Sequence, residues 1–135
     1  MLENKVAIVT GGSRGIGKAI ALALAQSGCK VVLNYNGNEK GAQEVVKAIT
    51  AEGGEALAVQ GDVANPSTAE KLINTTVEKF GKLDILVNNA GITRDNLLLR
   101  LKEEEWDQVL DVNLKGMFYL TKTALKPMMK QRAGR

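Results

Sequence analysis

Histidine is missing from this sequence, and cysteine occurs once, at Cys29. No Ser-His-Asp or Cys-His arrangement can be built, no internal disulfide can form, and no Cys/His cluster exists to hold zinc, so no metal site is expected. No apolar run approaches the roughly 18 residues of a membrane span. The opening MLENKV has no basic segment leading into an apolar stretch, so secretion and membrane insertion are not expected either. Charge of one sign is also lacking: 18 Lys+Arg stand against 15 Asp+Glu, for a net +3. That surplus is too small to announce nucleic acid, which calls for a concentrated basic face. The composition suits a reducing cytoplasm.

What is present is one ordinary domain. The chain has 135 residues, 44% of them hydrophobic and 24% charged, and a chain of this size buries about 70% of its unfolded surface. Lys5-Val-Ala-Ile-Val-Thr10 is a short, nearly continuous apolar run ending in glycine, the pattern of a strand covered on both faces of a parallel sheet. From Ile16 apolar residues recur with helical spacing until Gly28. The unit then repeats: strand Lys30 to Asn34, helix Glu39 to Glu52 stopped by Gly53-Gly54, strand Glu55 to Gln60. Asn65 is placed to cap a helix with Pro66 in its first position; Leu72, Ile73, Thr76, Val77 and Phe80 form the buried face, and Gly81 ends it. Leu83 to Val87 is the fourth strand. A long helix over Glu103 to Gln131 is expected to bury Trp106, Val109, Leu110, Leu114, Met117 and Leu125, with Pro127 kinking it or shortening its last turns. Strands alternating with helices give right-handed crossovers and a parallel sheet.

Thr10-Gly-Gly-Ser-Arg-Gly-Ile-Gly17 falls where the first strand turns into the first helix. A helix N-terminus there offers free N–H groups and the positive end of a dipole, which suits a diphosphate; glycine is needed where the backbone turns tightly or must approach closely. The spacing is G-x-x-x-G-x-G over Gly11, Gly15 and Gly17. Ligands of doubly wound sheets lie outside the carboxyl ends of the strands. Asp62-Val63 follows the third strand and Asn88-Asn-Ala-Gly91 the fourth, both short, small or polar stretches at the same end.

In order and spacing, Thr10 to Gly17, Asp62-Val63, Asn88 to Gly91 and Asn113 resemble the short-chain dehydrogenase/reductase family along the entire chain. The stretches Asn88 to Leu98 and Met128 to Arg135 look more narrowly like its bacterial branch that reduces 3-oxoacyl groups carried on acyl carrier protein. The resemblance implies a Rossmann-type doubly wound sheet of four strands in order 3-2-1-4, over a single domain spanning residues 1–135, and hydride transfer from NADPH to a 3-oxo thioester in fatty-acid synthesis. It puts Gly11, Ser13, Arg14 and Ile16 around the phosphates and adenosine ribose, Asp62 and Val63 at the adenine, and Asn89, Ala90 and Gly91 beside a ribose, with Gly12, Gly15, Gly17 and Asn88 also counted as cofactor-binding. It makes Asn113 the member of the catalytic tetrad that holds a water of the proton relay. On residue type alone, Asn113 reads equally as a polar residue that kinks or caps a helix turn, Asp62 as a turn residue, and Arg14 as a solvated loop charge.

An acid at the end of the second strand would bond a free ribose 2′-OH and repel a 2′-phosphate. No Asp or Glu occurs between Glu3 and Glu39, and Arg14 with Asn36 instead suits a phosphate, so NADP(H) is expected over NAD(H). The family's other catalytic groups, a Ser and a Tyr-x-x-x-Lys, are not in this sequence: Tyr35 is followed four residues on by Glu39, and Tyr119 by Thr123. The resemblance thus implies that these residues are the first half of such an enzyme, without its catalytic and substrate half, and inactive alone. The alternative is a self-assembling Rossmann fragment with little or no cofactor affinity. Self-association is expected either way, through the outer edge of the fourth strand or the C-terminal helix. Lys122, Lys126 and Lys130, with Arg132 and Arg135, make a one-sided basic stripe with no acid after Asp111. A solvated helix face explains it; the resemblance adds docking of the acidic acyl carrier protein. Cys29 reads as a small core residue and Trp106 as helix packing.

Overall fold

The computed structural model describes residues 1–92 and 94–135; Thr93, within the stretch Asn88 to Leu98, lies outside the described residues. Four parallel strands, β1 (Val6–Val9), β2 (Lys30–Tyr35), β3 (Ala56–Gln60) and β4 (Ile85–Val87), form one sheet in the expected order β3-β2-β1-β4. Helices α1 (Gly15–Gln26), α2 (Glu39–Ala51) and α3 (Pro66–Phe80) make the crossovers. After β4 come a single 3-10 turn, Leu98–Arg100, and then α4 (Glu103–Leu110), a π-helical turn (Asp111–Lys115) and α5 (Gly116–Gln131) in unbroken succession.

Side-chain alternation along β1 sorts the core into two layers. Ala7 and Val9 join Val31, Leu33 and the inner faces of α1 and α2, through Ala21, Ala42, Val45 and Ile49. Ile8 points the other way and joins Val32, Val59, Leu72 and Ile73 of α3, and Leu120 and Ala124 of α5. All four β1 side chains are therefore buried, which is why the run is continuously apolar. The α3 boundaries fall where Asn65, Pro66 and Gly81 put them: the Asn65 side chain accepts from the Ser67 amide at 3.1 Å, and Gly81 takes the left-handed conformation with φ 81°.

The C-terminal segment departs from the expected single helix. The π turn inserts at Asn113, and α5 runs through Pro127 to Gln131 instead of stopping. The buried stripe of α5 is Gly116, Leu120 and Ala124, spaced by four, because Gly116 lets the helix come down on Val63: a Cβ there would lie 2.8 Å from Val63 Cγ2. That choice turns Trp106, Leu114, Met117 and Leu125 outward, contrary to expectation, at 55%, 55%, 44% and 48% exposed; Val109 and Leu110 are half-buried.

β4 is shorter than predicted, since Leu83 has its backbone taken by a side chain. Gln131 Nε2 donates to the Leu83 carbonyl at 2.7 Å, and Gln131 Oε1 accepts from the Leu83 amide at 3.1 Å. The outer edge of β4 is also less bare than expected: the Arg135 amide donates to the Asp84 carbonyl at 3.0 Å and the Leu86 amide to the Arg135 carbonyl at 2.9 Å. Among the described residues no helix is long and apolar enough to cross a membrane, and no group of three or more His, Cys, Asp or Glu is placed to hold a metal.

Candidate functional site

The carboxyl ends of all four strands open into one cleft of about 1100 Å³. Its floor begins at Thr10, buried beyond β1. The Thr10 hydroxyl accepts from the amides of Asn89 and Ala90, each at 2.9 Å, and its own amide donates to the Val87 carbonyl at 3.1 Å. The Asn89 side chain returns the contact, donating to the carbonyls of Thr10 at 3.1 Å and Gly11 at 3.2 Å. The glycine turn after β1 is thus clamped to the segment after β4 by side chains of both.

Gly11 and Gly15 have φ of 62° and 57°, the left-handed region where a Cβ is strained. Between them Ser13 and Arg14 lead into α1. The first-turn amides of any α-helix lack intrahelical partners, and α1 has neither a side-chain cap nor an acid in its first turn. In contrast, Asn38 caps α2 through the Gly41 amide at 3.1 Å and Asn65 caps α3. Of these three helices α1, which starts in the cleft, is the one without a side-chain cap, and an anion is what its dipole favours.

Of the residues singled out from sequence, Gly11, Ser13, Arg14, Gly15, Ile16, Asn36, Asp62, Val63, Asn89, Ala90 and Gly91 line the cleft. Four do not. Gly12 is buried against β2, where a Cβ would meet Leu33 Cβ at 2.8 Å. Gly17 is packed under the loop against the Gly11 carbonyl and the Asn89 amide. Asn88 faces away, its Nδ2 donating to Thr121 Oγ1 on α5 at 3.2 Å. Asn113 lies behind the wall: its Oδ1 accepts from the Ile92 amide at 2.9 Å and its Nδ2 donates to the Ile92 carbonyl at 3.0 Å. Its side chain holds the loop after β4 and so occupies a π turn, a helical irregularity frequent at functional sites.

Asp62 combines both sequence readings. One carboxylate oxygen accepts from the Ala64 amide at 3.0 Å, an Asx turn into α3, while the residue remains exposed in the cleft. Arg14 stands exposed on the rim and also borders an adjoining recess of about 450 Å³ with Lys18, Lys40 and the single acid Glu44. At the far end, beyond Gly91, the Arg94 Nε donates to Gln108 Oε1 at 3.2 Å, and Asp111 pairs with Lys115 at 3.4 Å.

Sequence reasoning missed the α4 side of the cleft and the polar residue in its floor. Asn34 is 2% exposed and lies between the loops after β1 and β3. The signal was available, since a carboxamide directly after the apolar run Val31-Val-Leu33 of a buried strand must find partners at the strand end. Nothing in the sequence points to Arg94 or Gln108, which meet only because the loop after β4 folds back on α4.

A glycine turn running from a buried parallel strand into an uncapped helix, below a cleft across the carboxyl ends of a 3-2-1-4 sheet, defines a doubly wound domain of the Rossmann type. The chain belongs to the short-chain dehydrogenase family, whose model matches residues 5–135. It is 58% identical over 134 residues to a 3-oxoacyl-[acyl-carrier-protein] reductase of Synechocystis sp., and these cover 99% of this chain and 54% of that protein. The corresponding reductase FabG of Staphylococcus aureus is 51% identical over 134 residues, with the same coverage of 99% and 54%. Among solved structures, a short-chain dehydrogenase from Burkholderia cenocepacia in complex with NADP superposes with a TM-score of 0.91 at 43% identity, covering 93% of this chain and 51% of that one. A short-chain dehydrogenase/reductase variant from Serratia marcescens gives 0.90 at 38% identity, covering 93% and 51%. The chain therefore spans about half the length of the relatives it matches.

Proposed function

We propose that this chain is the NADPH-binding part of an oxidoreductase that reduces 3-oxoacyl groups on acyl carrier protein. The observation that carries the cofactor reading is the uncapped N-terminus of α1, opening with left-handed Gly15 onto a cleft drawn from four strand ends. The NADP in the Burkholderia structure and the names of the Synechocystis and Staphylococcus relatives support it.

In this reading the amides of Ser13 to Ile16 would hold the diphosphate, and Asp62 with Val63 would hold the adenine. Arg14 and Asn36 would hold the 2′-phosphate, where a guanidinium fork suits phosphate oxygens and the adjoining recess sets Lys18 and Lys40 against the single acid Glu44. When bound, the dinucleotide supplies a hydride for a carbonyl. The chain's own residues position: Thr10 and Asn89 lock the glycine turn, and Asn113 fixes Ile92 at the edge of the cleft. Neither Tyr35 nor Tyr119 is followed four residues on by Lys, so these 135 residues do not hold the Tyr-x-x-x-Lys of the family resemblance. Ketoreductase turnover by this chain alone is accordingly expected to be nil.

The apolar outer face of α4 and α5, with Trp106, Met117, Phe118 and Met129, is the surface for self-association. Lys122, Lys126, Lys130 and Arg132, exposed on and just past α5, suit an acidic carrier protein.

Calorimetric titration of the chain with NADPH and NADH tests the reading. NADPH is expected to bind more tightly, and Arg14→Gln to remove most of the difference. Equal affinity for both dinucleotides in the unchanged chain refutes the phosphate preference. Binding of neither by a folded, self-associating chain replaces this reading with that of a structural module.

A further inference from the structure

We propose that Asn34 is a positioning residue that ties the two walls of the cleft to each other, so that the spacing between the glycine turn and the turn after β3 is set before a nucleotide arrives. The inference rests on the cofactor reading above and adds to it a residue outside the glycine motif. Asn34 follows Val31, Val32 and Leu33, all fully buried, and is itself 2% exposed. A carboxamide is kept at such a place only where its donors and acceptor are met.

They are met from both sides. Asn34 Oδ1 accepts from the Gly11 amide at 3.4 Å, on the β1 side. Asn34 Nδ2 donates to the Gly61 carbonyl at 3.0 Å and, at 3.4 Å, to the carbonyls of Val59 and Tyr35, on the β3 side. The main chain repeats the arrangement: the Gly12 amide donates to the Asn34 carbonyl at 3.0 Å, and the Gly61 amide to the Tyr35 carbonyl at 2.9 Å. Gly11 is hemmed in from the β4 side as well, since a Cβ on it would lie 3.0 Å from Ala90 Cα.

No other side chain of similar size meets both walls. Aspartate keeps an acceptor for Gly11 but turns a second oxygen toward the carbonyls of Gly61, Val59 and Tyr35. Serine is too short to reach both loops, and leucine has neither donor nor acceptor. Because so little of Asn34 is exposed, it offers a ligand almost no surface, and its effect on binding must pass through Gly11 and Gly61.

The test uses the 135-residue chain with Asn34→Ser and Asn34→Asp, and Val45→Ala on the buried face of α2 as a control that lowers stability away from the cleft. Circular dichroism establishes that each variant is folded. Titration with NADPH and with the adenosine bisphosphate bearing its 2′-phosphate measures affinity, and amide exchange by NMR follows Gly11, Gly12, Gly61 and Asp62. Both Asn34 variants should bind both probes roughly tenfold more weakly, the equivalent of one lost hydrogen bond. Exchange should rise together at Gly11 and at Gly61 to Asp62, with Val45→Ala unchanged in both respects. The serine variant is neutral, so its agreement with aspartate separates positioning from charge repulsion. Affinity equal to that of the unchanged chain overturns the proposal, as does faster exchange on one side of the cleft only. If the unchanged chain binds neither probe, the cofactor reading falls, and the exchange data alone decide whether Asn34 joins the loops.

Discussion

Replacing Gly17 by alanine should destabilise the domain, although glycine is the poorer helix former. Alanine in α1 gains about 1 kcal/mol in helix propensity at most. Against this, an added Cβ would fall on the Gly11 carbonyl, whose carbon lies 2.8 Å from it, and on the Asn89 amide nitrogen. The first obstacle is backbone held by the left-handed turn at Gly11, and the second already donates to the Thr10 and Gly11 carbonyls at 3.1 and 3.2 Å. Neither can yield without breaking the clamp between β1 and β4. Overpacking of this kind costs about 1–3 kcal/mol, and loss of the two Asn89 bonds adds about 1 kcal/mol each. The net is a destabilisation of about 2–4 kcal/mol, or a fall in Tm of roughly 6–16 °C for a domain of this size. Thermal unfolding followed by circular dichroism measures it. Gly37→Ala serves as control: no atom lies within 4 Å of its added Cβ and its φ is outside the left-handed range, so its Tm should match or exceed the parent's. A Gly17→Ala chain melting at or above the parent would refute the reasoning and show that α1 can slide off the glycine turn at no cost.

Three further outcomes follow from the packing. Gln131→Ala removes both partners of the Leu83 backbone and should destabilise by about 2 kcal/mol in urea unfolding; an unchanged midpoint would mean that water replaces the clamp. Burial pushes the Cys29 thiol above its ordinary value, and the nearby Asp84 carboxylate adds to this while the N-terminal ammonium opposes it. As pH rises past the unfolded thiol's value near 9.0, the unfolded chain ionises first. Stability contributed by Cys29 is therefore intact below that pH and declines above it, a slope that Cys29→Ala should lessen; parallel stability profiles would contradict the shift. Phe118→Glu with Met129→Glu, both on the outward face of α5, should convert an associating chain to monomer in sedimentation velocity, and a parent already monomeric at high micromolar concentration would remove the case for that surface.

Much of the fold was legible because its signals are local. Asn65, Pro66 and Gly81 bracket α3 by capping and backbone chemistry, and the doubly buried run Val6–Val9 admits no half-exposed reading. The glycine turn was legible for the same reason, and eleven of the residues singled out do line the cleft: Gly11, Ser13, Arg14, Gly15, Ile16, Asn36, Asp62, Val63, Asn89, Ala90 and Gly91. Gly12, Gly17, Asn88 and Asn113 share the motifs without facing the cleft, since a motif records what a backbone needs as well as what a ligand touches. Gly17 is glycine for the sake of Gly11 and Asn89, and Asn113 is polar for the sake of Ile92.

The C-terminal helix was misjudged for a different physical reason. Between Trp106 and Met129 apolar residues occupy two faces: Leu120 and Ala124 with Gly116 on one, Met117, Phe118, Leu125 and Met129 on the other. Periodicity finds an apolar stripe but cannot choose between two, and side-chain size favours the wrong one. Bulk promises more buried area, yet the face that packs is the one that permits close approach, where Gly116 meets Val63 and Ala124 joins the layer of Ile8 and Leu72. The π turn at Asp111–Lys115 then shifts the register between α4 and α5, so no single wheel drawn over Glu103 to Gln131 describes both. Large residues left over on a face that small residues have declined are thus a signal in themselves: they mark a surface with a second contact to make, and the Phe118 and Met129 substitutions ask whether another copy of this chain makes it.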